Sequence, residues 1–156
     1  GFEDPTGTLW TQHGLLPPCW EGYNNPSYPT PHNTIGSYGA PHIIHSGEQC
    51  LSFCNKDGDS YAILPEFSNP ISDLQINFWM ATNGNTTDKL RLGYLTTEDD
   101  GTCNTFTEIA SYDSNSGSMV QRSKTLENVP AEAYRLAFKW STSYYYLCFV
   151  DDVEVY

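Results

Sequence analysis

The sequence predicts an all-β protein: a β-sandwich jelly roll of two antiparallel sheets, with a long loop excursion near the N-terminus. Three observations carry that expectation. Apolar and polar residues alternate with period two in several short windows, and no window of useful length repeats at helical spacing. Turn-forming clusters such as "NKDGD", "NGNTTD" and "EDDGTCN" separate these windows. Aromatic residues make up 14% of the chain and charged residues only 17%, alongside 10 Pro and 12 Gly, a balance typical of β domains with long loops. At 156 residues the chain can bury one substantial core, so 1–156 reads as a single module.

The elements follow in order. Leu16 to His42 is dense in Pro, Gly, Asn and Tyr and reads as a turn-rich excursion whose aromatics can pack down on a scaffold. Cys50–Phe53 and Tyr61–Phe67 are short strand candidates. "SDLQINFWMAT" has the clearest alternation, with Leu74, Ile76, Phe78 and Met80 facing one way and Asp73, Gln75, Asn77 and Trp79 the other. "KLRLGYLTT" repeats the pattern, with Leu90, Leu92 and Tyr94 inward and Lys89 and Arg91 outward. "TFTEIASY", "VQRSKTLENV" and "AYRLAFKWST" follow, the last with Tyr134, Leu136, Phe138 and Trp140 on one face, and Tyr144–Tyr156 closes the chain.

The net charge of −12 argues against nucleic acid, which needs basic surface to neutralise phosphates. It suits an extracellular protein or one that captures cations, or serves solubility alone. No apolar run approaches membrane-spanning length, and no signal peptide opens the sequence, so Gly1–Tyr156 reads as a mature or excised segment. The five cysteines leave at least one thiol unpaired within the chain. Cys50 and Cys54 on one regular strand would stand about 13 Å apart, too far to bridge. One or two disulfides stay open, and the absence of CxxC spacing argues against a cysteine metal site.

The final run "CFVDDVEVY" places two carboxylates inside an apolar strand. Counting back from Val153 and Val155 puts Asp151 on the core side and Asp152 on the other face with Glu154. A core-side carboxylate needs a partner. A bound calcium ion would satisfy it, with Glu3 of the opening "GFEDP" as a second ligand. Backbone amides at a bulge, or a solvated strand end, would do so without metal.

The series "GFEDP", "LPPCW", "HSGEQCLSF" and the closing "DDVEV" resembles, in that order, the cleaved-adhesin jelly-roll domains of bacterial surface proteins and proteases. These are similar in turn to MAM domains and to calcium-bearing carbohydrate-binding modules. The resemblance implies a structural calcium where Glu3 meets Asp151, supported by Asp152 and by backbone oxygens from Ser46 to Glu48. It spans nearly the whole chain, departing in the Pro/Tyr excursion and the cysteines. The Asp-Gly-Asp loop common after the Trp is missing, so no second calcium site of that kind carries over. "NKDGDS" (Asn55, Asp57, Asp59) resembles part of an EF-hand loop but lacks the closing Glu, and "TEDDGT" (Glu98, Asp99, Asp100) reads as a hairpin tip.

No catalytic constellation emerges. His13, His32, His42 and His45 lie in the loop-rich first half, with no HExxH spacing and no GxSxG around any serine. The expectation is a noncatalytic extracellular module for adhesion or carbohydrate recognition. Its partners would be a glycan or a host or cell-surface protein, together with neighbouring domains of a larger chain, and neither nucleic acid nor a membrane interior. The alternative is an architectural accessory domain of a secreted protease or glycosidase, with no ligand of its own. Candidate ligand-binding residues are Trp79, Gln75 and Asn77, because an outward Trp among amides can stack on a sugar ring. Arg91 on another strand and the loop tyrosines Tyr28 and Tyr38 join them. Covered by the excursion, Trp79 would instead belong to a second small core.

Overall fold

A computed structural model describes residues 19–24, 43–47, 50–53, 58–96, 103–142 and 146–156. Among these residues nine strands form: β1 (Glu21–Asn24), β2 (Leu51–Phe53), β3 (Gly58–Ile63), β4 (Gln75–Thr82), β5 (Lys89–Leu95), β6 (Thr107–Asp113), β7 (Val120–Thr125), β8 (Arg135–Thr142) and β9 (Cys148–Val155). They make a five-stranded sheet, in the order β1-β3-β8-β5-β6, and a four-stranded sheet, β2-β9-β4-β7. Every strand pair is antiparallel. From β2 to β9 successive strands alternate between the sheets, except for the β5–β6 hairpin. This is the expected all-β sandwich, and among the described residues no helix is long and apolar enough to cross a membrane.

The alternating windows become strands because one face of each can be buried against the other sheet. Ile76, Phe78 and Met80 of β4, Leu90 and Leu92 of β5, and Leu136, Phe138 and Trp140 of β8 are fully buried between the sheets. Each such side chain contributes about 1.5–3 kcal/mol of burial. Phe78 meets Phe138 edge to face at 4.9 Å, and the Trp140 indole donates to the Tyr146 carbonyl at 3.1 Å. Several boundaries differ from the sequence reading: β3 ends at Ile63 rather than Phe67, and the closing strand begins at Cys148 rather than Tyr144. Glu21–Asn24, inside the stretch read as a loop excursion, pairs with β3 as an edge strand. Gly58 and Asp59, read as turn, begin β3.

The last strand differs more. Asn77 lies opposite Glu154 and Trp79 opposite Asp151, so Asp152 and Val153 together face the single residue Phe78. That is a β-bulge, with Asp152 in the left-handed region at φ 44°. It shifts the side-chain phase by one. Before it, Cys148 and Val150 face the core at 0% exposure; after it, Val153 and Val155 pack against the same core. Asp151 is buried, as expected, but on the opposite face from the one period-two counting gives.

Each sheet leaves an edge on the same side of the sandwich, β6 in one and β7 in the other. On β7, Val120, Arg122 and Lys124 pair with Met80, Phe78 and Ile76 and therefore point between the sheets. Inward-pointing cations on an edge strand oppose edge-to-edge pairing with another molecule. On the outside of the five-stranded sheet, Tyr61, Ile63, Leu95, Cys103 and Ala137 form a second small core, closed by Phe106.

Candidate functional site

The outer face of the four-stranded sheet is built on β4, whose period-two geometry places Gln75, Asn77 and Trp79 in one row. Trp79 sits across from Asp151 of β9, so their side chains leave the same face as neighbours. The segment 43–47 crosses this face. Its His45 ring stacks on the Trp79 indole, with centroids 3.6 Å apart and planes 13° from parallel.

The paired aspartates hold that segment in place. Oδ2 of Asp151 accepts the backbone N–H groups of His45 at 2.9 Å and Ser46 at 3.1 Å, and its Oδ1 accepts the N–H of Asp152 at 2.8 Å. Asp152 takes the side chains: His45 Nδ1 lies 2.7 Å from its Oδ2, and Ser46 Oγ donates to its Oδ1 at 2.7 Å. Burial would raise the Asp152 pKa, but the bonds from His45 and Ser46 outweigh it and hold the carboxyl below its usual range. The bulge makes the division possible. A regular strand would send adjacent carboxylates to opposite faces, whereas the left-handed Asp152 turns its carboxylate toward the loop that Asp151 grips.

Below Trp79 lies a polar array. The Gln75 amide donates to Ser123 Oγ at 3.0 Å and to Tyr156 Oη at 3.0 Å, with a longer 3.3 Å contact to Asn77 Oδ1. Asn77 Nδ2 donates to Tyr156 Oη at 2.7 Å. Ser123 comes from β7, and Tyr156 follows β9 as an exposed ring. Gln75, Asn77 and Trp79 thus share one face, as the sequence predicts. Tyr156, Ser123 and His45 join them unforeseen, because their positions depend on strand pairing and loop docking that no local pattern reveals.

Arg91 is not brought to this site. It belongs to β5 in the other sheet, where it bonds Glu108 at 3.1 Å and Ser141 at 3.4 Å. Arg135 of β8 is buried and clasps the chain around β1: it donates to the carbonyls of Leu64 at 2.6 Å and Cys19 at 2.8 Å and pairs with Glu21. Lys139 bonds Asp59 at 2.8 Å over the Tyr61 ring, so Asp59 is an ion-pair partner in a strand. Glu3, Glu48, Tyr28 and Tyr38 lie outside the described residues, as do Asn55, Asp57 and Glu98–Asp100.

The expected calcium has a limited donor set here. Calcium takes six to eight oxygens at about 2.3–2.6 Å. Oδ2 of Asp151 carries two N–H bonds and Oδ1 carries one, leaving Oδ1 the more open oxygen. Among the described residues no group of three or more His, Cys, Asp or Glu converges on a metal position. The described residues satisfy Asp151 with backbone amides, so its burial by itself does not require an ion.

No family model and no curated protein matches this sequence. The fold does match solved structures. The K3 cleaved adhesin domain of Lys-gingipain from Porphyromonas gingivalis is 17% identical, with a TM-score of 0.65 over 89% of this chain and 92% of that one. The CBM22-1 xylan-binding domain of Paenibacillus barcinonensis Xyn10C is 10% identical, with a TM-score of 0.55 over 94% and 89%. The carbohydrate-binding module TmCBM61, solved with β-1,4-galactotriose, is 14% identical, with a TM-score of 0.52 over 92% and 90%. The chain therefore has the jelly-roll fold of cleaved-adhesin and carbohydrate-binding domains.

Proposed function

We propose that this chain is a noncatalytic extracellular module that recognises a glycan, or a glycosylated cell-surface partner, on the outer face of its four-stranded sheet. One observation carries the reading: the Trp79 indole, held against His45, stands in line with the Gln75–Asn77–Ser123–Tyr156 array. An aromatic plane offers stacking for the C–H face of a sugar, and adjacent amides and hydroxyls can exchange bonds with its hydroxyl groups. The likeness in fold to a galactotriose-bound module and a xylan-binding domain supports a saccharide ligand. Glycan-array binding that Trp79→Ala abolishes is the expected result. Binding unchanged in that variant, or none by the wild type, sinks the proposal.

A second reading, an architectural domain without a ligand, has one observation in its favour. His45 covers one face of Trp79, and the amides below already satisfy one another. A blank array together with an intact fold is its signature.

A structural calcium at the closing strand is a further part of the proposal. Oδ1 of Asp151 would be its ligand within the described residues, Glu3 would supply a carboxylate from outside them, and the segment from Ser46 to Glu48 would supply backbone oxygens. Binding to the folded state alone raises stability by RT ln(1 + [Ca]/Kd), so chelation should lower the melting temperature. Identical melting with calcium and with chelator, in both wild type and Asp151→Asn, excludes the ion.

A further inference from the structure

Four of the six Lys and Arg side chains among the described residues are committed to carboxylates. Lys89 is paired with Asp113, Arg91 with Glu108, Arg135 with Glu21 and Lys139 with Asp59. Among the described residues, Arg122 and Lys124 have no carboxylate partner, and both project inward from the same edge strand. They stand two residues apart, about 6–7 Å along β7. Asp113 feels the Arg122 charge, but its bond goes to Lys89 at 2.8 Å. Arg122 lies 5.9 Å from the Tyr112 ring centre; its Nε and the Tyr112 hydroxyl are buried without a hydrogen-bond partner.

Lys124 opens into a cleft of about 270 Å³ between the edges of the two sheets. The apolar part of the lining is Ile109, Leu126 and Val129, and the polar part includes Tyr94, Thr125 and Asn128. The Tyr94 and Asn128 side chains and the Lys124 ammonium make no hydrogen bond among the described residues, whereas Thr125, paired with Gln75, turns its side chain to the outer face. Glu108, the carboxylate in the wall, is held by Arg91. The cleft thus combines an uncompensated positive charge, several open hydrogen-bonding groups and an apolar floor. Its volume is just below the roughly 300–1,000 Å³ typical of drug-sized ligands, which suits one sugar ring and not a long oligomer.

We propose that this cleft binds a hexuronate, a monosaccharide-sized hydroxy acid, with its carboxylate on Lys124. Ring hydroxyls bond Tyr94 and Asn128, and the C–H face lies on Leu126 and Val129. A singly charged ligand fits the electrostatics: the net charge of −12 repels an extended polyanion, while the local cation Lys124 can still capture one carboxylate. The site is separate from the Trp79 face and does not depend on it.

The test is a two-dimensional amide NMR titration of the whole chain with glucuronate, with glucose and acetate in parallel at constant ionic strength. Glucuronate should give saturable shifts at the amides of 124–129 and 107–109, with glucose and acetate each at least about tenfold weaker. Lys124→Gln should weaken glucuronate about 10- to 100-fold, the worth of one charge-assisted bond. Lys89→Gln, which removes a paired surface cation, should bind like wild type. Asn128→Leu, on an exposed turn, gives a second variant expected to weaken binding. No shifts at these amides, equal shifts with glucose or acetate, or undiminished binding by Lys124→Gln overturns the assignment.

Discussion

Trp79 and Asp151 are cross-strand neighbours, and the Asp151 carboxylate holds the backbone of the very residue, His45, whose ring covers Trp79. The fold and the candidate site therefore share one fastening. Asp151 ties the segment 43–47 to the closing strand, and that tie decides how much of the indole meets solvent.

Removing the fastening should cost much of the stability. Asp151→Ala leaves three backbone N–H groups without their acceptor in a buried setting, a loss of about 3 kcal/mol. Asp151→Asn keeps one carbonyl oxygen for His45 and Ser46 but turns an amide NH₂ toward a donor, so it should fall between the two. Urea unfolding gives the order wild type, Asn, Ala. An Ala variant within about 0.5 kcal/mol of wild type, the range of ordinary surface changes, would remove Asp151 from this role.

His45→Ala should act differently, because its backbone N–H still reaches Asp151. It loses the ring stack and the contact with Asp152, about 1 kcal/mol together. Its main effect is exposure. Acrylamide quenching of Trp79 fluorescence, isolated by subtracting a Trp79→Phe background, should rise clearly. Quenching equal to wild type would mean that His45 does not shield the ring.

The Asp59–Lys139 pair should shape stability at both ends of the pH scale. Burial alone would raise the Asp59 carboxyl, but bonds from Lys139 and Ser141 hold it below 3.8. Its contribution is therefore present above its unfolded pKa of about 3.9 and lost as pH falls through the folded value. Burial alone would lower Lys139, but bonds to Asp59 and Tyr61 raise it above 10.5. That contribution is full below the unfolded pKa of about 10.4 and lost as pH rises through the folded value. The melting-temperature difference between wild type and Lys139→Met should be flat from about pH 5 to 9 and shrink beyond either end. A difference that grows outside that window contradicts the pairing.

Thiol chemistry should separate the cysteines. Cys19, Cys50 and Cys148 are free thiols, and Cys19 is exposed whereas Cys50, Cys103 and Cys148 are buried. Burial, helped by the nearby Asp151 carboxylate, pushes Cys50 up to about 12, and burial raises Cys148 well above its usual range. Since the thiolate is the reactive form, Cys50 stays protonated and unreactive at pH 8. Brief maleimide treatment followed by peptide mapping should label Cys19 and spare Cys50, Cys103 and Cys148 until denaturant is added. Early labelling of Cys50 would mean that the closing strand opens readily.

What was legible in the sequence follows from where the strands are regular. β4, β5 and β8 keep strict period two, so Phe78, Leu92 and Phe138 could be assigned to the core and Gln75, Asn77 and Trp79 to one outer row. The exclusion of Arg91 could not be read, because alternation gives a residue's face but not its sheet. The bulge did leave a trace. Cys148 and Val150 share one phase and Val153 and Val155 the other, so no regular strand can bury all four. The irregularity falls on Asp151–Asp152, between the two phases. The docking of His45 leaves no local trace, because it depends on a contact between distant parts of the chain.

The bulge can be tested by two substitutions at Asp152, read against each other. Its φ of 44° lies in the left-handed region, which glycine adopts freely, aspartate tolerates and a β-branched residue resists. Asp152→Gly and Asp152→Val lose the same bonds to His45 and Ser46, so that loss cancels between them. What remains includes the backbone strain of Val, about 1–2 kcal/mol, offset in part by the extra freedom glycine gives the unfolded chain. In a regular strand the order would be the reverse, because Val is favoured there over Gly. Greater stability of the Gly variant in urea unfolding is the expected result. The opposite order would mean that Asp152 sits in ordinary extended backbone, and the division of work between the two aspartates would lose its geometric basis.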